Sequence, residues 1–316
     1  MPPTVRVAVV QAEIAPTLAD GLWSTRKLAS EAAAAGALLV VFPETWLPGY
    51  PAWLDWCRDA ALWDHAPTKA VFGRMAAESV DVQGEAGMFL AETAADLGVT
   101  IVVGVVEKVS EGPGRGTLYN SLLTYGHDGT LLNHHRKLVP TYTERLVWGS
   151  GDAVGLRAVS TPVGRVGGLV CWEHWMPLAR QTLHESGEDI HVAVWPMVKE
   201  MHQVACRHYA FEGRCFVVAA GALMRATGLP AELELRTDVP DPKQWLLRGG
   251  SAIIGPDGSY VVPPCFDAPA VIVADLDLGR VREESMTLDV GGHYHRPDCF
   301  SFEAIVTPRR ERSSPG

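Results

Sequence analysis

A chain of 316 residues with 47% hydrophobic content is long enough to bury a sizeable core, which excludes a disordered protein. A formal charge of -10, with no run of Lys and Arg interleaved with aromatics, argues against a nucleic-acid partner. No apolar stretch of about 18 residues could cross a bilayer and no basic-then-apolar leader follows Met1, so a cytoplasmic protein free of the membrane is expected.

Strand-length apolar runs are predicted at about 5–10, 37–42, 99–106, 118–125, 165–170, 190–195, 215–221, 250–255 and 271–276. Between them, helical patterns fall at about 18–35, 84–97, 175–187 and 199–213, the second bounded by Gly84 and Gly98. This alternation favours a layered α/β domain. Asp128-Gly129 and Pro256-Asp257-Gly258, each between apolar runs, predict hairpins, so the sheets also contain antiparallel pairs. No Gly/Ser-rich or charged linker divides residues 1–306, which read as a single domain, and residues 307–316 read as a disordered tail. The acidic, Pro-containing stretch 229–244 reads as a surface insertion. The cysteines at 57, 171, 206, 215, 265 and 299 form no CxxC pair, as expected of reduced thiols.

Three segments carry candidate chemistry. Gly167-Gly168-Leu169-Val170-Cys171-Trp172-Glu173-His174 places a thiol at the end of an apolar strand, next to a polar turn, where a nucleophile finds both an opening and polar neighbours. Val40-Val41-Phe42-Pro43-Glu44 places a carboxylate at another strand end, and His135-Arg136-Lys137-Leu138-Val139-Pro140-Thr141 a cation after a third. Each has an ordinary role when taken singly: Glu44 a helix cap, Lys137 a solvated charge, Cys171 a small core residue. Their joint occurrence points to nucleophilic catalysis.

In these segments the chain resembles the nitrilase, or carbon-nitrogen hydrolase, superfamily, whose catalytic Glu, Lys and Cys occur in this order. The resemblance implies Glu44 as base, Lys137 as fixed positive charge and Cys171 as nucleophile. A second family glutamate matches Glu144 in Pro140-Thr141-Tyr142-Thr143-Glu144-Arg145, where it would orient the lysine or a water; next to Arg145 it could equally form a plain ion pair. The likeness runs from Val7 to about Phe302 and includes Arg207 to Arg214, Gly249-Gly250-Ser251 and Gly292-His293-Tyr294-His295-Arg296-Pro297-Asp298. The fold it implies is an αββα sandwich, two mixed β-sheets face to face with helices outside.

Trp172-Glu173 after the cysteine and Pro48-Gly49-Tyr50-Pro51 after the first glutamate are similar to the nitrilase branch, which acts on organic nitriles. The implied reaction gives the carboxylic acid and ammonia through a covalent thioimidate and thioester, with no cofactor and no metal. An amidase or carbamoylase, a cyanide-hydrating enzyme and a non-catalytic scaffold are the competing readings. Tyr50, Trp172 and Trp195 are the candidate substrate contacts. Trp46, Tyr50, Trp53, Trp56 and Trp63 cluster after Glu44 and predict an aromatic wall for an aryl or bulky hydrocarbon nitrile. Trp175, Met176, Leu178, Ala179 and Leu183 on the helix after Cys171 predict a patch that pairs the chain with a second copy, giving at least a homodimer.

Other patterns fade. His134 and His135 would face opposite ways on a strand, and His293-Tyr294-His295 lacks a carboxylate-rich partner set, so no metal site is expected. Gly112-Pro113-Gly114-Arg115-Gly116 fits no phosphate-loop spacing, and no GxSxG elbow supports a serine hydrolase.

Overall fold

The strand Thr4–Gln11, β1, is apolar on both faces because both are covered. Val5, Val7 and Val9 join the core shared with Val166 and Leu169, whereas Ala8 and Val10 join a second core with Ala29 and Leu90. Thus one sheet lies between another sheet and a layer of helices. The computed structural model describes residues 4–239, 241 and 243–306; the predicted tail at 307–316 lies outside the described residues.

After β1 come α1 (Leu18–Ala34), β2 (Leu39–Val41), α2 (Trp53–Trp56), α3 (Ala66–Ala77), α4 (Glu85–Leu97), β3 (Thr100–Lys108), β4 (Leu118–Tyr125) and β5 (Leu131–Arg136). The second half contributes β6 (Val159–Thr161), β7 (Gly164–Val170), α5 (Pro177–Ser186), β8 (Ile190–Trp195), α6 (Glu200–Gly213), β9 (Phe216–Gly221), β10 (Leu223–Arg225), β11 (Trp245–Ile254), β12 (Tyr260–Phe266), β13 (Ala270–Asp277) and α7 (Gly279–Ser285). One sheet runs β13-β1-β2-β3-β4-β5 and the other β10-β11-β9-β8-β7-β6, with β12 paired to β11. Each is mixed: β1, β2 and β3 are parallel while β13 and β4 run against them, and β7, β8 and β9 are parallel while β6 and β11 run against them. The two sheets pack face to face, with α1 and α4 outside one and α5 and α6 outside the other, the expected αββα sandwich.

Local chemistry explains the ends of the clearest helices. Thr17 caps α1 by accepting from the Asp20 amide at 3.1 Å, and α4 stops at Gly98, which takes the left-handed conformation at φ 65°.

Some expectations are corrected. The helix α3 and the short strands β6 and β10 carry little periodic signal and were not foreseen. The stretch 229–244 is more than a surface insertion, because Leu229 and Leu233 are buried with Trp53, Leu54 and Trp148 in a third core; residues 240 and 242 lie outside the described set. In the proposed pairing patch, Ala179 and Leu183 turn inward to the chain's own core, leaving Trp175 and Leu178 exposed.

Candidate active site

Open α/β sheets gather ligands at the carboxyl ends of their parallel strands. Here β2 ends just before Glu44 and β7 just before Cys171, one from each sheet, while Lys137 follows β5. The backbone of Glu44 lies so close to β3 that a Cβ on Gly104 would sit 2.4 Å from the Pro43 carbonyl oxygen and 2.7 Å from Glu44 Cα. Only glycine leaves that room. Cys171 opens a 3-10 turn, Cys171–Trp175, with φ 54°, a left-handed conformation that costs a non-glycine residue on the order of 1 kcal/mol.

The structure brings Glu44, Lys137, Glu144 and Cys171 together, all buried. Lys137 Nζ donates to Glu144 Oε2 at 2.7 Å and to Glu44 Oε1 at 3.1 Å. Asn120 Nδ2 on β4 donates to the same Glu44 oxygen at 2.6 Å. Glu44 Oε2 has no partner within the protein. Glu144 is fixed by the Thr141 amide at 2.7 Å and by the Tyr50 hydroxyl at 3.2 Å.

Two carboxylates and one ammonium in a dry site leave an excess of negative charge, and that sets the protonation states. Burial, with the nearby Glu144, pushes the Glu44 carboxyl up to about 7 against the pull of Lys137 and Asn120. Lys137 stays protonated: burial would lower it, but Glu44, Cys171 and Glu144 raise it. Burial and the charge of Glu44 push the Cys171 thiol well above its ordinary value, against Lys137 and a hydrogen bond from the Trp172 amide. At rest Cys171 is therefore a neutral thiol, beside a base poised near neutrality. Such a pair can pass a proton as the sulfur attacks, which is general-base catalysis.

Sequence reasoning missed Asn120, His135 and Glu173 as parts of the site. Glu173 accepts from the Val170 amide at 2.8 Å, the Leu138 amide at 2.7 Å and His135 Nε2 at 2.9 Å, so one buried carboxylate ties the cysteine strand to the lysine loop. Burial would raise its pKa, yet His135 and these amides hold it lowered. A signal was present: a Glu three residues beyond an apolar strand, if buried, needs donors of its own.

Cys171, Glu144, Tyr50, Trp56, Tyr142, Trp172 and Trp175 line a cavity of about 930 Å³. The predicted aromatic wall is only partly present. Trp46 is buried in the core, donating to Thr25 Oγ1 at 2.8 Å, and Trp53 packs in the third core. Trp63 borders a separate, smaller cleft. Trp195 does not reach the cavity either: it is fully buried, stacked between His174 and His202 at centroid distances of 4.7 and 4.3 Å. Position on β8 explains this, since Trp195 shares its face with His191, toward α6. Among the described residues, no three His, Cys, Asp or Glu side chains are grouped to hold a metal ion, and no helix is long and apolar enough to cross a membrane.

The sequence pattern of the carbon-nitrogen hydrolases matches residues 6–284. A nitrilase of Bradyrhizobium diazoefficiens is 35% identical over 99% of this chain and 96% of its own length. An aliphatic nitrilase of Sinorhizobium fredii is 36% identical over 96% of both, and a bifunctional nitrilase/nitrile hydratase of Lupinus angustifolius is 35% identical over 95% of this chain and 86% of its own. Among solved structures, a carbon-nitrogen hydrolase from Helicobacter pylori superposes with a TM-score of 0.69 at 19% identity, covering 90% of this chain and 93% of that one. A superfamily protein of Xanthomonas campestris gives 0.69 at 20% identity, over 96% and 100%. These two share the fold.

Proposed function

The chain belongs to the carbon-nitrogen hydrolase family, and from that premise we propose that it is a nitrilase, converting an organic nitrile and two waters to a carboxylic acid and ammonia. The observation that carries this reading is the unpartnered Oε2 of Glu44, on a carboxylate held near neutrality in the same buried cluster as the Cys171 thiol.

Cys171 Sγ attacks the nitrile carbon while its proton passes to Glu44 Oε2 and on to the nitrogen, giving a thioimidate. Water adds to that carbon, Glu44 taking its proton and returning it to nitrogen, and ammonia leaves a thioester. A second water, deprotonated by Glu44, releases the acid and restores the thiol. Lys137 and the Trp172 amide offset the charge that builds on nitrogen and oxygen. Glu144, fixed by Tyr50 and Thr141, orients Lys137.

The substrate carries an aryl or bulky hydrocarbon group, which the rings of Tyr50, Trp56, Tyr142, Trp172 and Trp175 suit. No metal or cofactor enters these steps. All six cysteines are free thiols, in keeping with a reducing cytoplasm. The test is ammonia release from arylaliphatic and aliphatic nitriles, cyanide and the matching amides. Fastest turnover of phenylacetonitrile-like compounds, with acid as main product, supports the reading; faster turnover of amides or cyanide contradicts it.

A further inference from the structure

Behind Cys171 lies a file of buried polar groups that the chemistry above does not use. The Cys171 carbonyl oxygen accepts from His174 Nδ1 at 2.7 Å. His174 Nε2 meets His191 Nε2 at 3.0 Å, His191 Nδ1 meets Glu188 Oε1 at 2.8 Å, and the Tyr209 hydroxyl donates to Glu188 Oε2 at 2.5 Å. All four side chains are essentially out of solvent. These groups come from the turn after β7, the stretch 188–191 that leads into β8, and α6, so three separate pieces of chain build the file that ends on the nucleophile's backbone.

Hydrogen-bond parity fixes the direction of this file. A carbonyl oxygen only accepts, so His174 Nδ1 carries hydrogen. A neutral His174 then has a bare Nε2, which must accept from His191 Nε2–H. A neutral His191 in turn has a bare Nδ1, which needs a donor, and the group that meets it among the described residues is Glu188 Oε1. We propose that Glu188 is a positioning residue that must carry a proton: its O–H starts a one-way hydrogen-bond chain through His191 and His174 that holds the Cys171 carbonyl, and with it the left-handed backbone of the nucleophile.

The electrostatics agree with the geometry. Burial and the facing His191 lower His174 to about 3, and burial lowers His191 well below its ordinary value, so both imidazoles are neutral. Burial pushes Glu188 up to about 7 against the Tyr209 hydrogen bond and His184. The groups facing Glu188 are His184 from α5, Tyr209 from α6, His191 from β8 and Cys215 just before β9, with Asp189 next in the chain. From β7 it meets Gly167, where a Cβ would lie 2.1 Å from Glu188 Oε1, so no side chain there could replace the proton donor. His184 is itself engaged by Glu212 at 3.2 Å. When Glu188 loses its proton, His191 turns its N–H to the carboxylate, His174 must donate back to His191, and His174 Nδ1 is left bare against the Cys171 carbonyl.

The role in turnover rests on the nitrilase reading; the direction of the chain does not. Two measurements on the full-length protein therefore separate them. In ¹⁵N-histidine NMR of the wild type at a pH below about 7, where Glu188 keeps its proton, His174 should be the Nδ1–H tautomer and His191 the Nε2–H tautomer. The reverse tautomers overturn the proposal, whatever the enzyme turns over. For kcat against pH, Glu188→Gln keeps both contacts, its amide N–H donating to His191 and its carbonyl accepting from Tyr209. It should retain kcat within about twofold while the alkaline limb of the profile moves up, since nothing is left there to ionise. Glu188→Leu should lose about tenfold at pH values below about 7, the size expected when one buried hydrogen bond to the reacting residue is lost, and the gap to wild type should close as the wild-type Glu188 ionises. An unmoved alkaline limb in Glu188→Gln, or full activity in Glu188→Leu, overturns the proposal. If the leucine variant fails to fold, the glutamine profile and the tautomers still decide.

Discussion

Glu44 Oε1 receives hydrogen bonds from Asn120 Nδ2 at 2.6 Å and Lys137 Nζ at 3.1 Å, so one oxygen of this carboxylate is engaged and Oε2 is left to react. Because the Asn120 bond favours the ionised form, its removal raises the pH at which the base becomes available. As a base, Glu44 works when ionised, so activity falls as pH drops through about 7. Asn120→Ala should move this acid limb of kcat/KM upward by about one unit. A limb that stays or moves down contradicts the assignment of Glu44 as base.

Lys137 is the one cation within hydrogen-bond reach of Glu44 and Glu144 among the described residues. Lys137→Met leaves two buried carboxylates without a counter-charge, which costs about 3–5 kcal/mol of stability and moves Glu44 further up, so that it is protonated at neutral pH. Urea unfolding and turnover should both be impaired, the latter by orders of magnitude. Unchanged urea unfolding would show that the triplet is not held as described.

Glu44, Lys137 and Cys171 were legible because each follows the end of a strand, and Glu144 only through its match to the second glutamate of a known superfamily. The supporting groups were not. Asn120 lies inside the apolar run of β4, where only its burial reveals that it needs a partner, and His135 looked like one of a pair of strand histidines. Aromatics close to Glu44 in sequence were read as close to the cavity, but Trp46 turns to Thr25 on α1 and Trp53 into the third core. The strands around Cys171 were read nearly to the residue, since 190–195 coincides with β8, whereas α3 lacks the strong apolar stripe that would have shown it.

Another buried carboxylate, Glu107 on β3, gives a stability prediction. Burial would raise its pKa, but hydrogen bonds from His134 and Arg136 outweigh that and hold it down at about 2. Its folded value lies below the unfolded one, so its contribution is fully present above about pH 4.5 and fades as pH falls toward about 2. Glu107→Gln should therefore be less stable than wild type near neutral pH by on the order of 3 kcal/mol, with the gap narrowing in acid. A gap that is constant with pH in urea titrations would contradict this.

The chain is expected to assemble at least as a dimer through the exposed Trp175 and Leu178, which flank the start of α5. Light scattering should give a mass above that of one 34.2 kDa chain, and Leu178→Glu should shift it toward the single chain. A wild type that scatters as one chain contradicts the pairing.

The central claim, that Cys171 forms the covalent intermediate, is tested most directly by acid-quenching the enzyme during turnover of a slow arylaliphatic nitrile and mapping the adduct by mass spectrometry. The predicted result is an acyl or imidate mass increment on the peptide bearing Cys171, absent in Cys171→Ala, which should also be inactive yet folded. An adduct on Cys57, Cys206, Cys215, Cys265 or Cys299, or normal turnover by Cys171→Ala, would contradict the account.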